Sequence, residues 1–78
     1  MTVVVETSGA LTYVGRFDSE DQAGVHLLDV GVHDAGTGGS REEYVRRSAR
    51  FGVRTDRKHL VVRRADVSRI TPLGEVEE

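Results

Sequence analysis

The sequence contains no cysteine, no tryptophan and a single proline. Without cysteine no disulfide, zinc–thiolate or iron–sulfur site can stabilise the chain, and we expect a protein of a reducing, cytoplasmic compartment. No apolar run approaches the ~20 residues that a membrane-spanning helix needs. Met1 is followed directly by TVVVET, without the basic start of a signal peptide. We therefore expect neither a membrane segment nor a signal for export.

Signatures of catalysis and of cofactor binding are also missing from the sequence. The glycine-rich stretch 33–40 is no phosphate-binding loop, because that motif needs Gly-Lys-Ser or Gly-Lys-Thr at the start of a helix, and this stretch ends in Gly39-Ser40 followed by Arg41. No serine stands in the strand–turn–helix setting of a nucleophile elbow. His26, His33 and Asp34 have metal-binding side chains, but their spacing matches no known site. We expect no enzyme activity, no cofactor and no metal site.

A chain of 78 residues is expected to form one domain, residues 1–78. A domain of this size buries only about 60% of the surface of its unfolded chain, so its core is small. Small domains without disulfides often gain stability by oligomerisation. Residues 33–40 are predicted to form a flexible loop, and residues 74–78 an acidic tail.

Runs of β-branched and alternating residues predict a mostly β fold with five short strands. Gly15 interrupts the second strand and predicts a bulge or a sharp bend, as small barrels need in order to close. In the third strand, strict alternation would place His26, Leu28, Val30 and Val32 on one face. Polar segments at residues 18–22 and 54–58 are predicted to be loops. The predicted strands are residues 2–7, 11–17, 24–32, 60–63 and 67–71.

The segment between the third and fourth strands predicts a short helix. Ser40 precedes Arg41-Glu42-Glu43 in the form of a capping box, and Gly52 suits the end of a helix. A helix Arg41–Phe51 would bring Tyr44, Val45, Ser48 and Ala49 to one side. The competing interpretation is that this segment forms a strand extending a long bent hairpin.

Charge is divided unevenly along the chain. Residues 41–64 contain nine basic and three acidic residues, a net charge of +6. Because the whole chain has a net charge of −2, the remaining residues carry −8. This division predicts either a basic patch on one face or a surface of ordinary salt bridges.

Two segments resemble motifs of the Sm-like (LSm) family. In GRFDSEDQAGVHLLDV, Gly15 and Asp21 match the strand glycine and the aspartate of the family's first motif. In VVRRADVSRI, Arg63, Val67 and Ile70 match the second motif. The chain departs from the family at Gly24-Val25, where the family has Met-Asn, and at Arg64, where it has glycine. It also lacks the family's N-terminal helix.

The resemblance implies a strongly bent, five-stranded Sm-like or SH3-like barrel. It also implies a homo-oligomeric ring in which the fourth strand pairs with a neighbour's fifth, and binding of single-stranded RNA. The residues predicted to contact RNA are Asp21, His26, Arg46, Arg47, Arg50, Arg63 and Arg64.

Two alternatives remain open. Arg63 is equally well explained by a structural pair with Asp66 or Asp21 that holds the corner. The whole domain is alternatively a small β-barrel that serves as a protein-interaction or scaffold module, with its basic segment docking an acidic protein partner.

Overall fold

The structure is a computed structural model that describes residues 1–75. Five antiparallel strands form one sheet in the spatial order β4-β3-β2-β1-β5, and an α-helix lies between β3 and β4. The mostly β fold with one short helix is thus confirmed. The elements are β1 (Thr2–Thr7), β2 (Leu11–Asp21), β3 (Gly24–Asp34), α1 (Arg41–Phe51), β4 (Arg57–Val62) and β5 (Val67–Pro72), with 3-10 helices at Arg64–Asp66 and Leu73–Glu75.

The sheet is bent but does not close into a hydrogen-bonded barrel, because β4 and β5 are its two edges. The 3-10 helix Arg64–Asp66 joins these edges. The backbone N–H of Ser8, in the β1–β2 turn, donates to the Asp66 carbonyl at 3.1 Å. The connection between the edge strands is therefore tied to the β1–β2 turn.

The inner face of the bend holds the main apolar core. Val5, Leu27 and Val30 are fully buried there, with Tyr13 and Ile70 packed against the cluster. The β-branched run in β1 serves both faces, because its side chains alternate between them. Val3 and Val5 join the inner core, while Val4 joins the outer one.

Helix α1 covers the outer face of the sheet. Val45 packs with Val4 and Val14, and the buried side of the helix is the predicted one. The Ser40 hydroxyl accepts a hydrogen bond from the Glu43 N–H, and Gly52 ends the helix with φ 96°. The capping signals were sufficient here, and the competing extended hairpin is wrong.

A bulge interrupts the alternation in β3. Gly15 of β2 faces two residues of β3, Asp29 and Val30, and Asp29 takes the left-handed conformation with φ 50°. This extra residue turns Val30 and Val32 to the face of Val25 and Leu27. The predicted common face of His26, Leu28, Val30 and Val32 is therefore wrong, while the irregularity predicted at Gly15 is confirmed.

Strand β2 continues to Asp21, through residues predicted to be a loop. Strand β1 begins at Thr2, which pairs with Arg16, so residues 17–21 have a partner strand only on the β3 side. They are exposed, and all of them except Phe17 are polar, as suits contact with solvent. The β2–β3 hairpin thus extends beyond β1.

Strands β3 and β4 also extend further into the predicted loops than expected. Strand β3 extends to Asp34, and β4 begins at Arg57, within the predicted turn. Several hydrogen bonds hold the turn after β3, among them Gly38 N–H to the Asp34 carbonyl at 2.9 Å. Flexibility of residues 33–40 stays a prediction. Of the predicted acidic tail, Gly74 and Glu75 lie in a 3-10 helix and residues 76–78 fall outside the described part.

Across residues 1–75, no helix combines the length and the apolar character needed to traverse a bilayer.

Candidate nucleic-acid interface

The residues predicted to contact RNA lie in two separate places. The first, here called the β4–β5 corner, comprises Asp21, His26, Arg63 and Arg64. The second, here called the helix face, comprises Arg46, Arg47 and Arg50 on α1. The helix packs against β2, β3 and the 3-10 helix Leu73–Glu75, whereas Arg63 and Arg64 lie in the β4–β5 connection.

Both arginines of the β4–β5 corner lie near carboxylates. Arg63 Nε is 3.6 Å from Asp66 Oδ2, and Arg64 Nη1 is 3.7 Å from Glu20 Oε1. All four side chains are substantially exposed, so solvent screens these ion pairs and each contributes little to stability. The arrangement matches the structural alternative for Arg63, in which it pairs with Asp66.

Asp21 and His26 engage each other at the same corner. His26 Nε2 lies 3.0 Å from Asp21 Oδ2. This buried nitrogen has no hydrogen bond of acceptable angle, and the Asp21 carboxylate lies directly beside it. The interaction with His26, followed by the hydrogen bond from the Ala23 N–H, lowers the pKa of the Asp21 carboxyl.

His59 is a partner of His26 that the sequence analysis did not identify. His26 Nδ1 and His59 Nε2 are 3.1 Å apart. The two residues are diagonal neighbours, because Leu28 of β3 lies opposite His59 of β4. This register depends on where β4 begins after the helical insertion, and no spacing in the sequence indicates it.

The helix face presents arginines of a different kind. Arg46, Arg47 and Arg50 are exposed, and within residues 1–75 none of them forms a salt bridge. They line a shallow surface depression together with Glu43 and Phe51. The positive charge on this side of α1 is therefore available to an external anion.

Phe51 is the exposed aromatic residue beside these arginines. Its relative exposure is 77%, and the Arg50 guanidinium carbon lies 5.6 Å from its ring centroid. Since a buried aromatic contributes far more to a small core than an exposed one, the position of Phe51 is not explained by packing. It offers a ring face for stacking.

Tyr44, the other aromatic of the helix, is used inside the structure. Its ring stacks on His33 at 4.6 Å between centroids, and the His33 Nε2 lies 2.8 Å from the Gly39 carbonyl oxygen. Burial, followed by the negative charge of Asp56, raises the pKa of the Tyr44 hydroxyl. Through its contact with His33, Tyr44 therefore connects the helix to the end of β3 and to the turn that follows it.

Arg41 is a structural residue that the sequence analysis counted only as charge. Its Nε donates to Thr12 Oγ1 at 2.6 Å and its Nη2 to the Gly9 carbonyl at 2.8 Å. Nη1 also lies 3.5 Å from Glu6 Oε1. Arg41 thus attaches the start of α1 to the β1–β2 hairpin and is not part of the helix face.

The metal-binding side chains considered in the sequence analysis, His26, His33 and Asp34, do not come together in the described part of the chain. His33 and Asp34 lie at the far end of β3 from His26, and among residues 1–75 no group of three or more histidine, aspartate or glutamate side chains is placed to hold an ion.

Comparison with protein-family models, with curated proteins and with solved structures found no match for this chain. The resemblance to the Sm-like family therefore stays a prediction based on the residues quoted above.

Proposed function

We propose that this domain binds single-stranded RNA through the helix face of α1. The observation that carries the proposal is the set of three exposed arginines, Arg46, Arg47 and Arg50, without intramolecular carboxylate partners in residues 1–75 and beside an exposed ring. Arginine guanidinium groups fit phosphate geometry and stack on bases. The three arginines lie within five residues of one helix, so a single backbone segment can contact all of them.

The β4–β5 corner is a weaker candidate, although the family resemblance points there. Glu20, Asp21 and Asp66 surround its two arginines and its histidine. A phosphate at this corner would have to approach three carboxylates and displace two of them. The helix face has one neighbouring carboxylate, Glu43, against three arginines, so electrostatic repulsion favours the helix face over the residues matched to the family motifs.

Phe51 favours a single strand over a duplex. The bases of a duplex are stacked inside the helix, whereas those of a single strand can stack on a protein ring. One such contact contributes about 1–3 kcal/mol, which corresponds to a change of about 5- to 150-fold in affinity.

We also propose that copies of the domain associate through the edge strands β4 and β5, as the family resemblance implies. Within residues 1–75, each of these strands has one side without a partner strand, and unpaired edges readily accept another strand. Arg57 and Lys58 on β4 would approach the side of β5 that carries Arg69. Because these charges are alike, we expect salt to strengthen self-association while it weakens RNA binding.

The test is fluorescence anisotropy with a labelled oligouridylate at several salt concentrations, combined with sedimentation velocity. The triple variant Arg46→Gln/Arg47→Gln/Arg50→Gln should lose most of the affinity. Its plot of log affinity against log salt should be shallower by about 2, since each phosphate contact on a single strand contributes about 0.7. Phe51→Ala should weaken binding at every salt concentration.

The matched control is Arg63→Gln/Arg64→Gln, which removes two arginines from the β4–β5 corner. It should leave RNA affinity nearly unchanged. If the corner variant loses binding and the triple helix variant keeps it, the site assigned here is wrong. A monomer at every protein and salt concentration would contradict the proposed association through the edges.

The second candidate function is a protein-interaction module that docks an acidic protein. It is favoured by Gly24-Val25, which stand where the family has Met-Asn, so that the family's base-contacting asparagine is absent. Absence of salt-sensitive RNA binding by the unaltered domain would favour this alternative.

A further inference from the structure

We propose that His26 and His59 form an open, two-histidine site for a late first-row divalent cation such as Zn²⁺ or Ni²⁺, with Asp21 orienting the site. The two imidazoles bring the nitrogens His26 Nδ1 and His59 Nε2 to 3.1 Å from each other. This inference is independent of the proposed RNA binding, because it uses none of the residues of the helix face.

The separation of the nitrogens suits shared coordination. Zinc–imidazole bonds are about 2.0–2.1 Å long. Two nitrogens 3.1 Å apart, each at that distance from one ion, subtend an angle of about 98° at the ion. This value lies between octahedral and tetrahedral geometry. The ring centroids are 5.3 Å apart and the ring planes differ by 16°, so the two nitrogens point almost directly at each other, and each ring must turn by about 40° to share an ion at that bond length. The exposed His59 on the edge strand can reorient most readily.

Asp21 supplies the contact that a metal-binding histidine commonly has on its other nitrogen. Histidine ligands usually direct the second ring nitrogen to a carboxylate or carbonyl, which fixes the tautomer and makes the ligand more basic. Here Asp21 Oδ2 lies 3.0 Å from His26 Nε2. When Nδ1 binds an ion, the ring proton of His26 must be on Nε2, next to this carboxylate, so Asp21 would favour the tautomer that the site needs.

His26 is held within the sheet, whereas His59 is open to solvent. His26 lies in β3, and its side chain is only 18% exposed, so the neighbouring strands fix it. His59 lies on the edge strand β4 and is exposed. An ion can therefore approach from solvent on the β4 side, with water filling the coordination positions that the protein does not supply.

Nearby charges are close to balanced. Asp21 is one carboxylate at the site, while Glu20 is paired with Arg64 and Asp66 with Arg63. Successive side chains of β4 point to opposite faces, so Arg57 shares the face of His59 whereas Lys58 does not. Attraction for a divalent cation therefore depends on the two imidazoles and on Asp21, which lies 3.0 Å from His26, against the positive charge of Arg57.

The experiment is a titration of the tag-free protein with Zn²⁺ and, separately, Ni²⁺. Isothermal calorimetry measures stoichiometry and affinity, and NMR follows the imidazole resonances. We expect one ion per chain and shifts confined to the rings of His26 and His59. The affinity should fall at about pH 5, because protons compete with the ion for imidazole.

Three variants test the residues individually. His59→Gln changes an exposed side chain and should preserve the fold while removing binding. Asp21→Asn should weaken binding by about 10- to 100-fold, as loss of an orienting partner does elsewhere. His33→Gln removes the third histidine of the chain, which stacks on Tyr44, and should bind the ion as the unaltered protein does.

Three results would overturn the site. They are undiminished affinity in a folded His59→Gln variant, loss of binding in His33→Gln, and absence of binding at millimolar ion. The last result would mean that the two imidazoles share only a hydrogen bond. Unchanged affinity in Asp21→Asn would remove the orienting role given to that carboxylate.

Discussion

Arg41 connects the helix to the sheet, and its replacement tests whether this connection stabilises the fold. The variant Arg41→Met keeps the aliphatic stem and removes the guanidinium. It deletes the hydrogen bonds to Thr12 Oγ1 at 2.6 Å and to the Gly9 carbonyl at 2.8 Å. Thr12 is fully buried, so water cannot easily replace the lost donor there.

The size of the effect follows from these contacts. A hydrogen bond from a charged donor contributes about 1.5–3 kcal/mol, and a buried polar group left without a partner costs about 1–3 kcal/mol. The Gly9 carbonyl can be rehydrated, and the contact with Glu6 at 3.5 Å adds less than about 1 kcal/mol. We expect a loss of about 2–4 kcal/mol in the free energy of unfolding. The whole domain should have only about 4–12 kcal/mol, at roughly 0.05–0.15 kcal/mol per residue.

The assay is equilibrium unfolding in urea, followed by far-ultraviolet circular dichroism and by tyrosine fluorescence. Arg47→Met on the same helix is the matched control, since Arg47 is exposed and its loss should change stability by no more than about 0.5 kcal/mol. Thr12→Val closes a double-mutant cycle with Arg41→Met, and the two changes should be non-additive by about 1 kcal/mol or more. Equal losses in Arg41→Met and Arg47→Met, or simple additivity with Thr12→Val, would refute the role given to Arg41.

Two further predictions concern the contact between α1 and β3. Gly31→Ala should destabilise the fold by about 1–3 kcal/mol, because the added Cβ would lie 2.6 Å from Tyr44 Oη and 2.7 Å from the Arg54 carbonyl oxygen. The control is Gly9→Ala, whose added Cβ meets no atom within 4 Å. Equal urea midpoints for the two variants would contradict the prediction. The raised pKa of Tyr44 means that its neutral form stabilises the fold below the unfolded-state pKa of 10.0 and that this stabilisation is lost as pH rises through the higher folded-state pKa. Tyr44→Phe should therefore reduce the loss of stability at alkaline pH, measured as the free energy of urea unfolding against pH. Tyr13→Phe is the control for loss of a tyrosine hydroxyl. An unchanged alkaline slope in Tyr44→Phe would contradict the role given to the Tyr44 hydroxyl.

Local signals predicted the elements of this fold well where one short segment contained all the information. The run Val3-Val4-Val5 favours a strand by itself, and the capping box at Ser40 with Gly52 defines both ends of α1. The bulge at Asp29 could not be predicted in the same way. A Cβ on Gly15 would lie 3.1 Å from the Leu28 carbonyl oxygen, so the glycine of β2 allows the close approach of the bulged strand, and that pairing is a property of the sheet.

In the candidate sites too, features set by one short segment could be predicted, whereas features set by strand pairing could not. The exposed arginines of α1 follow from the helical periodicity, because Tyr44 and Val45 define the buried side and leave Arg46 and Arg47 outside. The contact between His26 and His59 joins residues 33 positions apart. It depends on the register of β3 against β4, and the helical insertion between these strands leaves that register unmarked in the sequence.

Helix α1 has two roles that are carried by opposite sides of the same segment. Burial of Val45 against Val4 and Val14 fixes the rotation of the helix, and this rotation directs Arg46, Arg47 and Arg50 to solvent. The three arginines can therefore be replaced without removing a core contact, whereas a polar residue at Val45 would uncover the outer face of the sheet. Because the anchoring residues and the exposed cations are different side chains, loss of RNA binding in the arginine variant would report on the proposed interface rather than on unfolding.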